Sequence, residues 1–187
     1  RQRVELLVQV CAAVAYAHSR LVIHRDLKPA NIFVTGDGQV RLLDFGIAKL
    51  LQSDASATAL TEVGGRVLTL DYASPEQVRG EVLTTTSDVY SLGVVAYELL
   101  TGSRPYRLRR GSAAEPEEAV AAADIPAASS RAHDQATARA LRGDLDAVLT
   151  QALRKDVAAR YASAEALAAD LRRRLAVLLV RAVPDSA

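Results

Sequence analysis

Apolar positions at the start of the chain recur with the spacing of one face of an α-helix. They are Val4, Leu7, Val8, Cys11, Val14 and Ala15. Because residues three and four apart lie on the same side of a helix, this pattern predicts an amphipathic helix that ends near His18 or Ser19. Cys11 belongs to the apolar face, so we interpret it as a packing residue and not as a reactive thiol.

Two short runs rich in apolar and β-branched residues follow, at 32–34 and 40–43. The segment between them contains Thr35-Gly36-Asp37-Gly38. Short strands joined by a turn of Gly and Asp residues are typical of a β-hairpin. The pattern therefore predicts one small hairpin.

The rest of the chain alternates predicted helices with loops. A stretch from Ser87 to about Thr101 is apolar nearly all round and is followed by Gly102, which predicts a buried helix with a glycine at its C-terminal end. Two more helices are predicted, over 144–153 and from 164 to about 179. Segments 52–65 and 107–137 resemble loops in composition, and the second can include a short helix over 114–123. We therefore expect a mainly α fold with a small β-hairpin.

Length, charge and cysteine content exclude several function classes. The 187 residues suffice for one core, and 23 Lys and Arg against 22 Asp and Glu leave a net charge of +1. Such a balance gives no electrostatic reason to expect nucleic acid or an anionic membrane as a partner. The single cysteine fits a reducing, cytoplasmic setting. The longest apolar run, 175–180, is far too short to span a membrane.

The candidate chemistry lies on either side of the predicted hairpin. Before it stands His24-Arg25-Asp26-Leu27-Lys28-Pro29-Ala30-Asn31, and after it Asp44-Phe45-Gly46. Because the two arms of a hairpin start and finish at the same end, we expect these segments to lie together. Phosphoryl transfer needs an oriented hydroxyl, neutralised phosphate charge and bridging metal ions. Asp26 could accept the hydroxyl proton and Lys28 could offset the charge, while Asn31 and Asp44 offer oxygen ligands to Mg²⁺.

These motifs resemble the catalytic and metal-binding loops of protein kinases, and the resemblance covers nearly the whole chain. The residues of the motifs are similar to those of the bacterial eukaryotic-like serine/threonine kinases. Ser74-Pro75-Glu76 resembles the family's Ala-Pro-Glu motif, with Ser in the first place. Asp88 resembles the aspartate that anchors the catalytic-loop backbone, and Arg160 resembles the arginine that pairs with the motif's glutamate, here Glu76.

The resemblance also implies a nucleotide site and a substrate class. It implies ATP and Mg²⁺, with Lys28, Asn31 and Asp44 facing the phosphates and Phe33 under the adenine ring. It gives His24 and Phe45 structural roles in the regulatory spine. The Lys28 position and the Thr69-x-x-Tyr72 spacing imply Ser or Thr acceptors in protein substrates and not Tyr.

Several family features are missing from the sequence. It contains no glycine-rich phosphate loop, no strand lysine with its helix glutamate and no hinge for the adenine. The resemblance therefore implies a kinase C-terminal lobe without its N-terminal lobe, with a partial kinase domain over 1–180 and a tail over 181–187. Such a chain alone is expected to be inactive. The alternative is a kinase-like scaffold that acts by protein binding, which the intact Asp26, Lys28, Asn31 and Asp44 disfavour.

Simpler interpretations stand beside several of these roles. His24 could be an ordinary core histidine, and Asp88 could simply cap its helix. The Glu76–Arg160 pair could be a surface ion pair that contributes little. The segment 172–174, three arginines, is interpreted as a solvated helix face.

The loop after Gly46 carries candidate control residues. Arg25 and Lys49 are cations that would repel each other unless an anion lies between them. A phosphate on Thr58 or Thr61 would supply that anion and order the loop, which would fix Thr69 near the acceptor site. The other interpretation of the Ser and Thr residues at 53–61 is a solubilising linker.

Overall fold

The computed structural model describes residues 1–45, 70–106 and 124–180. Within these ranges six α-helices surround one two-stranded sheet. The elements, in chain order, are α1 (Gln2–His18), β1 (Ile32–Val34), β2 (Val40–Leu42), α2 (Pro75–Val78), α3 (Thr85–Thr101), α4 (Gln135–Leu141), α5 (Asp144–Ala152) and α6 (Ala164–Val180). The prediction of a mainly α fold with a small hairpin is confirmed.

Helix α1 has the predicted apolar face and ends at the predicted residue. Its buried side chains include Val4, Leu7, Cys11 and Val14. They pack mainly against α6, near the other end of the chain, and also against β2 and α3. Burial raises the pKa of the Cys11 thiol to about 12, so this cysteine is a packing residue, as expected.

The hairpin is antiparallel, with Ile32 opposite Leu42 and Val34 opposite Val40. Gln9 of α1 binds its turn at two points: the side-chain amide donates to the Gly38 carbonyl at 3.3 Å and accepts from the Val40 N–H at 3.2 Å. Gly38 has φ +81°, a conformation that favours glycine. These contacts fix the hairpin, and thus the two segments that flank it, relative to α1.

Helix α3 is the centre of the core and is buried along most of its length. A Cβ atom at Gly93 would lie 3.0 Å from Ala152 Cβ, so this glycine allows α5 to approach closely. The helix ends at Gly102, whose φ of +78° is the left-handed cap that the sequence predicts.

Three details differ from the sequence predictions. Helix α3 begins at Thr85, two residues early, and its N-cap is Thr84, whose N–H donates to Ser87 Oγ at 3.1 Å. The interpretation of Asp88 as a helix cap is therefore wrong. The sequence predicts a loop up to residue 137, but α4 already begins at Gln135. Its run of Ala and Thr has no apolar periodicity that would predict a helix. Its start is set by Asp134, whose carboxylate accepts from the Thr137 N–H at 2.7 Å.

Two predicted elements, the helix over 114–123 and the tail over 181–187, lie outside the described residues. In the ranges that are described, no helix combines the length and the apolar character needed to cross a membrane.

Candidate active site

Asp88 binds the backbone of the loop between α1 and the hairpin. It is buried near the start of α3, and its carboxylate accepts the backbone N–H groups of His24 at 2.8 Å and Arg25 at 2.9 Å. The same carboxylate lies 2.8 Å from Nε2 of His18 at the end of α1. One side chain thus anchors the loop backbone, as the resemblance implies, and also contacts the end of α1.

Two residues beside the site have strained backbones. Arg25 has φ +67° and Asp44 has φ +51°, both in the left-handed region that non-glycine residues rarely adopt. Such a conformation costs roughly 1–3 kcal/mol and persists where surrounding contacts hold it. At Arg25 the holding contacts include the bond to Asp88, so buried polar groups enforce the shape of the loop.

Asp26, Lys28 and Asn31 form one hydrogen-bonded cluster. Lys28 Nζ lies 2.7 Å from Asp26 Oδ2, and the Asn31 amide donates to Asp26 O at 2.8 Å and to Asp26 Oδ2 at 3.1 Å. A 3₁₀ turn, Pro29–Asn31, brings Asn31 back toward Asp26. The structure therefore brings together all three residues that the sequence assigns to catalysis.

Asp44 reaches the same place from the far arm of the hairpin. The Leu43 N–H donates to the Asn31 carbonyl at 2.9 Å, which sets the exposed Asp44 beside the catalytic loop. Both bonds from the Asn31 amide nitrogen point to Asp26, so its oxygen is the atom available to a cation. An amide oxygen and a carboxylate are donors that suit Mg²⁺, which takes its remaining ligands from phosphates and water. These two residues fit a Mg²⁺ site.

His24 is an internal support of the site. Its ring is buried, lies 4.6 Å from the Phe45 ring between centroids, and has Nε2 3.1 Å from the Leu43 carbonyl oxygen. Desolvation by burial lowers the pKa of this imidazole, which favours the neutral form. These contacts fit the structural role that the resemblance implied for His24 and Phe45.

Several apolar side chains in and beside the hairpin are exposed to solvent. Phe33 is 54% exposed, and Val34 and Leu43 are somewhat less exposed. Phe33 and Val34 are neighbours in β1 and point to opposite faces of the sheet, and Leu43 follows β2, so each is an exposed apolar side chain in its own right. The exposure of Phe33 leaves it available for the adenine contact that the resemblance implies.

Glu76 of α2 and Arg160 form a buried ion pair. Arg160 Nη1 and Nη2 donate to the two Glu76 carboxylate oxygens at 2.6 and 2.7 Å, and the guanidinium also donates to the carbonyls of Arg154, Thr86 and Lys155. Burial alone would raise the pKa of the Glu76 carboxyl, but the bonds from Arg160, from its own backbone N–H and from Ser87 outweigh it and hold the pKa at about 2. The interpretation as a weak surface pair is therefore wrong.

The arginine run at the end of the chain is only partly a solvated face. Arg172 and Arg173 are exposed, as expected. The Arg174 side chain is mostly covered, and its Nη1 lies 3.3 Å from Asp144 Oδ2 on α5. Arg174 therefore helps to join α6 to α5.

Sequence reasoning missed two residues that support the catalytic loop, Gln77 through a direct hydrogen bond and His18 through its contact with Asp88. His18 was noted only as the end of a helix, and Gln77 was passed over although it directly follows Glu76. Gln77 Nε2 donates to the Arg25 carbonyl at 2.8 Å. The adjacency of Gln77 to the Ser-Pro-Glu motif was the available signal. The expected control residues Lys49, Thr58, Thr61 and Thr69 lie outside the described residues.

Comparison with known proteins identifies the class to which this fold and site belong. The protein kinase domain family matches residues 1–171. The chain belongs to the protein kinase domain family.

Its relatives include bacterial serine/threonine kinases. The chain is 38% identical over 174 residues to serine/threonine-protein kinase PknB of Mycolicibacterium smegmatis, and the match covers 91% of this chain and 26% of the relative. PknB of Mycobacterium leprae is 37% identical over 171 residues, with 91% and 26% covered. The probable serine/threonine-protein kinase CE0033 of Corynebacterium efficiens is 38% identical over 170 residues, with 91% and 25% covered. The chain thus spans about a quarter of the length of these relatives.

A solved structure confirms the fold. The PknI kinase domain of Mycobacterium tuberculosis superposes with a TM-score of 0.63 at 24% identity, and the match covers 92% of this chain and 54% of that one. At this identity the likeness supports the kinase fold alone.

Proposed function

We propose that this chain is a segment of a bacterial serine/threonine protein kinase, which transfers the γ-phosphoryl group of ATP to Ser or Thr hydroxyls of protein substrates. The observation that carries the proposal is the cluster of Asp26, Lys28 and Asn31, held by hydrogen bonds of 2.7–3.1 Å beside the exposed Asp44, in which Asp26 and Lys28 are half-buried and Asn31 is buried. A scaffold has no physical need for these four residues together.

Each residue of the cluster has a distinct task in this reaction. Asp26 orients the acceptor hydroxyl and takes its proton as the new O–P bond forms. Lys28 reaches the transferred phosphoryl group and offsets its negative charge in the transition state. Asn31 and Asp44 hold Mg²⁺, which when bound neutralises and orients the phosphates of ATP. Phe33 offers an apolar surface to the adenine ring.

We further propose that the described residues form the C-terminal lobe of the kinase fold, within a partial kinase domain at 1–180. The match to only 54% of the PknI kinase domain supports this, as does the exposure of the apolar side chains Phe33, Val34 and Leu43. The sequence also lacks the glycine-rich loop and strand lysine that would hold the rest of ATP. The buried thiol of Cys11, the chain's one cysteine, is consistent with action in the cytoplasm.

The test is to join this chain to the N-terminal lobe of PknB from Mycolicibacterium smegmatis and to measure phosphate transfer. This joined protein, called the chimera below, should phosphorylate Ser and Thr peptides and not a matched Tyr peptide, and the 187-residue chain alone should transfer negligibly. A folded chimera that binds Mg·ATP but transfers nothing would instead support the scaffold alternative. Turnover by the isolated chain at the rate of a complete kinase would contradict the lobe assignment.

Control by phosphorylation is a separate proposal. A phosphate on Thr58 or Thr61 would pair with Arg25 and Lys49 and order the segment that carries Thr69. Mass spectrometry of the active chimera should find phosphate in residues 53–61, and phosphatase treatment should lower its rate. Full activity without any phosphate there would refute this mechanism and leave the catalytic assignment intact.

A further inference from the structure

Gln77 binds the backbone of the catalytic loop from a different helix. It belongs to α2, directly after Glu76, and its Nε2 donates to the Arg25 carbonyl at 2.8 Å across 52 positions of sequence. A carbonyl only accepts, so this contact fixes which end of the side-chain amide faces the loop. We propose that Gln77 is a positioning residue for the catalytic base Asp26. This inference rests on the proposed kinase function.

The carbonyl that Gln77 binds belongs to the peptide group that carries Asp26. The N–H of that same peptide is the Asp26 N–H, which lies 3.4 Å from Nδ1 of His24. The peptide therefore has a partner at each end, one from α2 and one from within the loop. Since the Asp26 side chain extends from this peptide, its direction depends on the peptide's orientation.

Strain at Arg25 makes the contact with Gln77 necessary. Arg25 has φ +67°, so its backbone would relax to a more common conformation if its partners were removed. Its N–H is bound by Asp88 on the side of α3, and its carbonyl is bound by Gln77 on the side of α2. Both polar groups of the strained residue are thus held by side chains from different helices.

Gln77 is itself well placed by its neighbours. Its N–H donates to the buried Ser74 Oγ at 3.3 Å, and Glu76 next to it is fixed by the buried Arg160 pair. The serine that replaces the family's alanine in this motif thus caps the turn that presents Gln77. The helical turn at 75–78 therefore presents Gln77 to the carbonyl of Arg25, the residue before the catalytic base.

Two variants at Gln77 distinguish a role as hydrogen-bond donor to the Arg25 carbonyl from a role in packing. Gln77→Met keeps the length and loses the donor, whereas Gln77→Glu keeps the shape and places a carboxylate oxygen against the carbonyl. A positioning role predicts that Gln77→Glu is the more harmful, and a packing role predicts the reverse. Gln151→Met, at an exposed site on α5, is the matched control.

In the chimera, Gln77→Met should lower kcat about three- to tenfold, the worth of one hydrogen bond, with the KM for ATP unchanged. Gln77→Glu should lower kcat further, and Gln151→Met should match the wild type. Equal kcat in the Gln77 variants and the wild type, or a milder loss for Gln77→Glu than for Gln77→Met, would overturn the proposal.

Hydrogen exchange in the 187-residue chain gives a readout that does not depend on activity. Gln77→Met should speed exchange of the Arg25 and Asp26 amides about three- to tenfold and leave amides of α3 unchanged. Faster exchange throughout the chain, or none at Arg25 and Asp26, would contradict positioning. If the wild-type chimera transfers no phosphate, the proposed function fails and this exchange result alone decides the role of Gln77.

Discussion

Two ion pairs have nearly the same length but different places in the fold: one lies within the catalytic loop, and the other joins Glu76 of α2 to Arg160. Glu76 and Arg160 approach to 2.6 Å, and Asp26 and Lys28 approach to 2.7 Å. Their surroundings differ. The side chains of the first pair are 5% and 0% exposed, and those of the second are 22% and 26% exposed.

The difference shows how one kind of contact performs two tasks. The guanidinium of Arg160 also donates to three backbone carbonyls, so the buried pair connects α2 to the segments at 86 and 154–155 and leaves no room for a ligand. The second pair lies within one loop and is half-buried, so that solvent reaches both of its side chains. We infer that full burial makes the first pair structural and that partial exposure leaves the second available for chemistry.

The largest effect on stability should come from breaking the buried pair. Glu76→Gln leaves the Arg160 charge buried without its counter-ion, so we expect a loss of about 3–5 kcal/mol in the free energy of unfolding. Urea denaturation of the chimera measures it. Glu165→Gln, in the exposed pair with Arg172, is the control and should cost at most about 1 kcal/mol. Equal losses in the two variants would remove the contrast between buried and exposed pairs.

Acid should remove much of the same stabilisation without mutation. The pKa of Glu76 is about 2 in the folded chain, against an ordinary value of 4.5. A carboxyl with a lowered folded pKa stabilises fully above pH 4.5, and its contribution, about 3 kcal/mol, is lost as the pH falls toward 2. Denaturation midpoints measured between pH 6 and 2 should therefore fall less steeply in Glu76→Gln than in the wild type. Parallel curves would contradict the assigned pKa.

Asp88 should show an intermediate effect, because it is buried but bonds chiefly to backbone. In Asp88→Asn an NH₂ group, which donates, replaces one of the two accepting oxygens. One of the bonds to His24, Arg25 or His18 is therefore lost. We expect a loss of about 1.5–3 kcal/mol, the range for hydrogen bonds to charged groups, and a lower kcat in the chimera. Unchanged stability with wild-type turnover would show that the loop does not depend on this anchor.

The half-buried pair of Asp26 and Lys28 should contribute least to stability. Lys28→Met should change the free energy of unfolding by at most about 1 kcal/mol, because solvent reaches both charges, while phosphate transfer by the chimera falls sharply. Thermal melts and transfer rates of the same preparation test both statements. A loss of stability as large as that of Glu76→Gln would place this pair with the structural one.

Sequence patterns were sufficient for the parts of this molecule with strong periodicity or a rigid spacing. The apolar stripe of α1 and the all-round burial of α3 gave helices at nearly the correct bounds, since packing there follows hydrophobicity. The cluster of Asp26, Lys28 and Asn31 followed from spacing within one short loop.

Contacts between distant segments were harder to predict. Nothing in the local pattern tells whether Glu76 and Arg160, 84 positions apart, meet in the core or at the surface, because burial is a property of the whole fold. The bond from Gln77 to a strained carbonyl depends on the backbone angle of Arg25, which no composition rule predicts. Helix α4 was missed because its start depends on one capping carboxylate and not on periodicity.

The most direct test of the central claim is to measure turnover, stability and nucleotide affinity of Asp26→Asn in the chimera. We predict that phosphate transfer falls by about 10²–10⁴-fold or more, that the free energy of unfolding changes by less than about 1 kcal/mol, and that the Kd for Mg·ATP stays near the wild-type value. Asp44→Asn, the matched comparison, should weaken Mg²⁺-dependent ATP binding. Wild-type turnover in Asp26→Asn, or the same loss of affinity in both variants, would contradict the account.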